Sequence, residues 1–430
     1  MKFFLIIASI LSVTSAQTIR CSYIFNIVYM CQLTINNPNG YNNFTGITGT
    51  HQPGFGDADV ELVQTISGST TIVPSIICRK FPNIGYLSLG SSGISSIGDT
   101  AFSGCSRVKD ISLQLNRISS VSANALVNNP LLETFSISFN NLATLPENVF
   151  ANQQNLVELS LSNNPFQIIP GGLFQPLQNV ILIYLDSARI TTINNQWFAQ
   201  NSNLDYLSLA GNAIVVNANS FVGMSGLRGL SLDNNGITDI PTGTFMPLGN
   251  LESLTLTKNQ VTQIRANTLP SSLVTLNLNG NPFVTIAAGT FQNLANLYQL
   301  DLTYTALTSL NSNSFQGLGK LGHITLNTNQ IQELPVGLFV GSPLLETLYI
   351  LNNRLTTLRR NVFGAMTNVT AIALEGNSVW AIERAVIDDA VNLNYFYMNG
   401  NLCADRFFHT FQVNRAQYLP LLQTCFNNAL

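Results

Sequence analysis

The sequence predicts an α/β fold of solenoid type. It is a curved horseshoe with a parallel sheet on the concave face and short irregular or 3₁₀ segments on the convex face. Disulfides stabilise both ends. Three observations predict this. The pattern L-x-x-L-x-L-x-x-N-x-L, seen in "LVELSLSNNPF", returns along most of the 430-residue chain. A phenylalanine follows most of the asparagines at a nearly constant offset, as Phe174 follows Asn164. Six cysteines lie toward the two ends of this array and none in its middle.

The first element is not part of the fold. "MKFFLIIASILSVTSA" (1–16) has Lys2, an apolar run and small residues before a cut after Ala16, the arrangement of an export signal. The run is too short to span about 30 Å of hydrocarbon, and no later stretch offers some 18 uncharged apolar residues. The mature chain is expected to begin near Gln17 and to be secreted. Residues 17–59 read as an N-terminal capping module, in which Cys21 and Cys31 flank the alternating, aromatic "SYIFNIVYM" of a hairpin.

Residues 60–402 form the array. The asparagine slot falls at Ser92, Asn116, Asn140, Asn164, Ala188, Asn212, Asn235, Asn259, Asn281, Thr305, Asn329, Asn353, Asn377 and Asn401, at intervals of 24 residues with one of 23 and one of 22. A weaker coil places Gly68 one interval earlier. Within "LVELSLSNN", Leu159 and Leu161 alternate with Glu158, Ser160 and Ser162, the period of a strand with one buried face. Ser162 is therefore expected to face outward. At Asn164 the strand turns inward, and an asparagine amide, which donates and accepts, closes backbone bonds that would cost about 1–3 kcal/mol each unpaired. Ala188 and Thr305 lack that amide, so water or a shifted backbone is expected there. Phe150, Phe174, Phe198, Phe221, Phe245, Phe291, Phe315, Phe339 and Phe363 share one slot and should stack beneath the convex side. In the 22-residue coil "LPSSL" replaces the segment with the phenylalanine, so a flatter wall is expected.

Residues 403–430 read as the C-terminal cap, with a helical tail ending near Cys425. Six cysteines allow fifteen pairings. Their positions favour Cys21–Cys31, Cys78–Cys105 and Cys403–Cys425; Cys78 and Cys105 as buried free thiols is the alternative.

Fourteen consecutive matches identify the leucine-rich repeat, and the coils are similar to those of Toll-type receptor ectodomains and other extracellular proteins of the 24-residue class. The front end, "CSYIFNIVYMCQL" with "ITGTH" and "DADV", resembles the N-terminal module of secreted arthropod leucine-rich-repeat proteins. The resemblance implies recognition of a protein, in immunity, development or adhesion. One departure is that the usual extracellular C-terminal cap carries four cysteines, whereas only Cys403 and Cys425 are here.

Composition excludes other classes. Only 9% of residues are charged and the net charge is -3, so the dense basic footprint of a nucleic-acid or anionic-membrane binder is missing. His51, His323 and His409 are far apart, and no metalloprotease, nucleophile-elbow or phosphate-loop motif appears. Asp57 and Asp59 lie in a Gly-rich loop, and Asp388 and Asp389 in a convex return. No catalytic residue, metal or cofactor is expected. A binding surface must come from outward strand positions, most of which are Ser or Thr. Larger side chains form two groups: Leu182, Tyr184 and Tyr206, then His323, Tyr349, Tyr395 and Tyr397. Tyrosine is enriched at contact hot spots. With so few charges, binding is expected to depend little on salt. Asn43 and Asn368 open glycosylation sequons. The expected function is secreted, non-catalytic recognition of an extracellular protein or glycan by the concave face; the alternative is a matrix or coat protein that self-associates.

Overall fold

The computed structural model describes residues 18–25, 28–37 and 44–429. The export segment 1–16 and the sequon at Asn43 lie outside these residues. The chain divides into two compact units, Met1–Leu156 and Val157–Leu430.

In the first unit, β1 (Thr18–Phe25) and β2 (Tyr29–Asn36) form an antiparallel hairpin, and β3 (Ile47–Thr48) pairs parallel to β1. Alternation selects the buried side: Ile19, Cys21, Tyr23, Cys31, Leu33 and Ile35. Cys21 and Cys31 are bonded, with Cα atoms 5.4 Å apart. Next comes β4 (Leu62–Gly68), parallel to β2, with a register shift after Leu33. Its last residue must be glycine. At Gly68 φ is +100°, and an added Cβ would stand 1.8 Å from the Ile35 carbonyl oxygen. Strands Tyr86–Ser88, Asp110–Ser112 and Thr134–Ser136 continue in parallel register. Cys78, on a short helix (Ile76–Lys80), is bonded to Cys105 one coil on, with Cα atoms 4.7 Å apart.

Polar contacts tie the hairpin to the first coil. The Tyr29 hydroxyl lies 3.1 Å from His51 Nδ1, His51 Nε2 lies 2.8 Å from Asp57, and Lys80 reaches the same carboxylate at 3.0 Å. Tyr23 packs on the His51 ring at 3.8 Å. Burial, then Asp57 and Tyr29, push the Tyr23 hydroxyl up to about 12.

The second unit is the longer array. Its eleven three-residue strands, from Glu158–Ser160 to Tyr395–Tyr397, pair in parallel register, residue for residue. The central residue of every strand points inward and is buried.

Asn259 shows how coils are joined. Its Oδ1 accepts the N–H groups of Asn235 and Ile237, both at 3.0 Å. Its Nδ2 donates to Leu232 O and Leu256 O, both at 2.9 Å. One side chain thus satisfies four backbone groups on two coils. In the first unit Asn116 makes the same set with Ser92, Ile94, Leu89 and Leu113.

The two departures in this unit are accommodated by the backbone. Arg189 and Ala306, which follow Ala188 and Thr305, take left-handed φ values of +58° and +61°. Thr305 also keeps part of the function, since its hydroxyl donates to Leu302 O at 2.8 Å. The next asparagines, Asn212 and Asn329, still accept the N–H of Ala188 and of Thr305.

On the other side the phenylalanines stack, with centroids 5.2 Å apart for Phe174–Phe198 and 5.4 Å for Phe221–Phe245. The stack resumes from Phe291 to Phe363 at 5.6–6.5 Å. In the short coil between, buried Leu269 stands where a ring would be. Between stack and sheet the return path is mostly tight turns closed three residues apart, as from Leu177 N–H to Phe174 O at 3.0 Å.

A second polar column, not anticipated from the sequence, underlies these turns. Asn201 Nδ2 donates to Phe174 O and Leu177 O at 2.9 and 2.7 Å. In the first unit Asn129 and Gln153 do the same for the coil before each.

The expectation that Ser162 is exposed is corrected. It is 6% exposed, donates to Asp186 Oδ2 and accepts the Asp186 N–H. It lies past the strand end, where Asp186 of the next coil covers it.

The unit ends with a strand that the sequence reading took for tail. Phe407–His409 pairs antiparallel with Tyr395–Tyr397, ahead of two short helices and the Cys403–Cys425 bond, with Cα atoms 5.0 Å apart. Among the described residues no helix is long and apolar enough to cross a membrane.

Two outcomes are expected. Asn259→Ala should lower stability by about 1–3 kcal/mol in chemical denaturation, because it orphans buried backbone groups. Outward Ser253→Ala should cost almost nothing; equal midpoints would show that the amide does not carry the joint. The second concerns pH. Tyr23 is held neutral in the folded state, so its contribution is complete below pH 10.0 and is lost as pH rises through about 12. The melting temperature should fall across that window, and less so in Tyr23→Phe. Parallel curves for the two proteins would refute this role.

Candidate binding face

The geometry of each strand determines what the concave face presents. In Leu182–Tyr184 the buried residue is Ile183, so Leu182 and Tyr184 point outward, half-buried between neighbouring coils. Tyr206 stands directly opposite Leu182 on the next strand. The Tyr184 and Tyr206 rings meet at 5.9 Å with a 52° tilt. All three members of the first group are thus together.

Tyr206 lies down across the following strand. A Cβ at Gly229 would come within 2.5 Å of its ring, so glycine is what permits this pose. Burial raises the hydroxyl pKa of both tyrosines, with Glu158 and Asp186 adding at Tyr184, and Asp186 and Asp233 adding at Tyr206 against an opposing hydrogen bond from Ser208.

Those carboxylates are held by the strand ends. Asp186 accepts the hydroxyl of Ser208 and the N–H of Ala210, the latter at 2.8 Å. Asp233 accepts from Ser231 at 3.2 Å, Thr255 at 3.0 Å and the Thr257 N–H at 2.6 Å. Sequence reasoning missed both. The signal was present in the residue after each coil's second strand leucine, two positions before the asparagine slot.

The second group divides. His323 bonds to Thr347 Oγ1 at 2.7 Å and meets Tyr298 edge-on at 4.8 Å. Tyr298 lies across Gly322, where a Cβ would meet its ring at 2.2 Å, and donates to Glu346 at 3.0 Å. Tyr395 and Tyr397 stack at 6.1 Å on one strand, and His409 packs against both. Phe407 joins them 6.3 Å from Tyr397 and is 52% exposed. Tyr349 shares the Tyr397 column, with Ala373 between them. At about 4.8 Å per strand the two tyrosines are about 10 Å apart. Phe407 and His409 were missed because the repeat register ends at Asn401. The alternation of exposed Phe407, buried Phe408 and exposed His409 is the local sign of their strand.

Of the glycosylation acceptors, Asn368 is exposed and its Nδ2 donates to Pro343 O at 3.1 Å. Among the described residues no three His, Cys, Asp or Glu side chains form a metal-ligating group. His51 belongs to the hairpin contacts and His323 and His409 to separate aromatic clusters.

Comparison with known proteins agrees with this architecture. A leucine rich repeat family model matches residues 178–235, 225–269, 271–331, 319–379 and 343–403, more than half of the chain. A model of the BspA type leucine rich repeat region matches 72–205. No curated protein matches the sequence.

Among solved structures, the Toll–Spatzle complex of Drosophila aligns with TM-score 0.74 and 16% identity, over 86% of this chain and 50% of that one. The TLR13–ssRNA13 complex aligns with TM-score 0.64 and 23% identity, over 75% and 51%. The LRIM1/APL1C complex aligns with TM-score 0.59 and 18% identity, over 94% and 74%. The chain thus spans about half the length of the Toll and TLR13 chains. At these identities the likeness is one of fold. With the asparagine ladder, the parallel register and the matched repeats all in agreement, the chain belongs to the leucine-rich-repeat family.

Proposed function

We propose that this is a secreted, non-catalytic recognition protein that holds an extracellular protein or glycan on the concave face of residues 157–430, in innate immunity or cell-surface signalling. The observation that carries the reading is two groups of outward tyrosines, Tyr184 with Tyr206 and Tyr349 with Tyr395 and Tyr397, on a sheet whose other outward positions are mostly small. Such rings bury apolar area at little entropic cost and keep a polar tip. Eleven strands at about 4.8 Å each extend roughly 50 Å, enough for a protein domain. The fold neighbours include complexes with a protein and with RNA. RNA is disfavoured for this chain, because the outward strand positions hold carboxylates and no lysine or arginine to neutralise phosphates. Three disulfides and the signal-like segment 1–16 support an oxidising, extracellular location. The reading assigns no cofactor and no metal.

A second reading, self-association in a matrix or coat, draws on exposed apolar side chains of the final residues. Leu402 is 73% and Val413 85% exposed, alongside Phe407. Elution in size-exclusion chromatography that shifts with concentration would favour it over recognition by a monomer.

The expected outcome for the first reading is that Tyr349→Ala with Tyr397→Ala weakens partner capture from native extracellular fluid by about tenfold or more, with the melting temperature unchanged. The control is Met246→Ala with Val340→Ala, two exposed residues beside the phenylalanine stack. Normal capture by the tyrosine variant with loss in the control would move the site to the outer side.

A further inference from the structure

We infer that the concave face of residues 157–430 receives a cationic protein segment, one whose arginine or lysine side chains enter beside Tyr184 and Tyr206. This rests on the concave-face reading and names the partner's chemistry. The first, third and fifth residues of the eleven strand segments, from Glu158 to Asn399, are the positions that alternate with buried ones. Their charged members are Glu158, Asp186, Asp233, Asp301 and Glu375, all acidic. No lysine or arginine occupies these positions; of the basic residues that flank the segments, Arg228 is paired with Asp205 at 2.5 Å, and Arg189, Lys258 and Arg354 are exposed just beyond them. The low overall charge of the chain suggested salt-insensitive binding. Placement reverses that expectation, because the few charges on this face have one sign.

Aromatic geometry and charge coincide at one place. The Tyr184 and Tyr206 rings are in contact, and Tyr206 is laid flat by Gly229. Glu158 and Asp186 lie near enough to act on Tyr184, and Asp186 and Asp233 on Tyr206. Ring faces attract a cation through their quadrupole, and a carboxylate beside them adds directly to that attraction. The acids do not need the visitor for their own stability, since Asp186 and Asp233 already accept backbone and hydroxyl hydrogens. Both side chains remain partly exposed. An acidic or neutral partner would leave this charge uncompensated, and a glycan without amines would use the rings alone.

The test uses the full chain and three probe peptides of equal length, arginine-rich, serine-rich and glutamate-rich. The arginine peptide alone should bind, and its affinity should fall severalfold between about 0.01 and 0.15 M ionic strength, as the screening length shrinks from roughly 30 to 8 Å. Asp186→Asn with Asp233→Asn should weaken it about tenfold. Glu158→Gln, at a side chain outside that hydrogen-bond network, should weaken it severalfold and keeps the test valid if the double variant fails to fold. Tyr206→Phe should bind as wild type and Tyr206→Leu more weakly, a distinction that packing alone would not produce. Exposed Glu333→Gln, off the face, should change nothing. Binding that is absent, indifferent to salt, equal for the three peptides, or equal in all acidic-residue variants overturns the inference. If the tyrosine variants still weaken capture of the native partner in that event, the concave-face reading survives and only the cationic partner is lost.

Discussion

The structure depends on one recurring interaction, the hydrogen bonding of an asparagine amide across two coils. A strand of three residues cannot bury its own polar backbone when the chain turns inward after it. Asn259 meets two N–H groups of the preceding coil and carbonyls of both coils at once. Each such joint sets the height of the next coil, and so the register of the next strand. Where the amide is missing, the adjustment stays local. Arg189 and Ala306 turn left-handed, and the following asparagine still closes the joint above.

Register in turn builds the concave face. Because each strand repeats its neighbour position for position, outward residues fall into straight columns, and side chains 24 residues apart become adjacent. A large ring can then lie down only if the next residue in its column is small. Gly229 and Gly322 meet that condition for Tyr206 and for Tyr298 in the neighbouring column. Strand ends add a further row of bonds: Ser162, Asp186, Asp233 and Asn327 each accept an N–H one coil on. Anionic charge is thereby fixed beside the rings by the same contacts that keep the coils aligned.

The two ends use different means, since a terminal coil lacks one neighbour. The hairpin of the first unit is tied down by a chain of polar contacts through Tyr29, His51, Asp57 and Lys80, with a disulfide inside the hairpin. The far end of the second unit adds an antiparallel strand to the sheet and a disulfide from Cys403 to a helix. The added strand carries Phe407 and His409 onto the face occupied by Tyr395 and Tyr397.

By itself the sequence determined the repeat, the inward leucines, the asparagine and phenylalanine columns and the outward tyrosines, and it favoured the three cysteine pairs without fixing them. These are periodic signals, and a period of 24 residues states which side chains become neighbours. Tertiary structure decided what periodicity does not encode. Ser162 is buried by Asp186, Asn129 and Gln153 serve carbonyls of earlier coils, and His51 meets Asp57 and Lys80 through a loop with no repeat. His323 bonds to Thr347 and packs on Tyr298 rather than joining the tyrosines three strands away. In each case the outcome depends on the reach of a side chain toward the coil beside it. That is a property of packed neighbours, and no single repeat contains it.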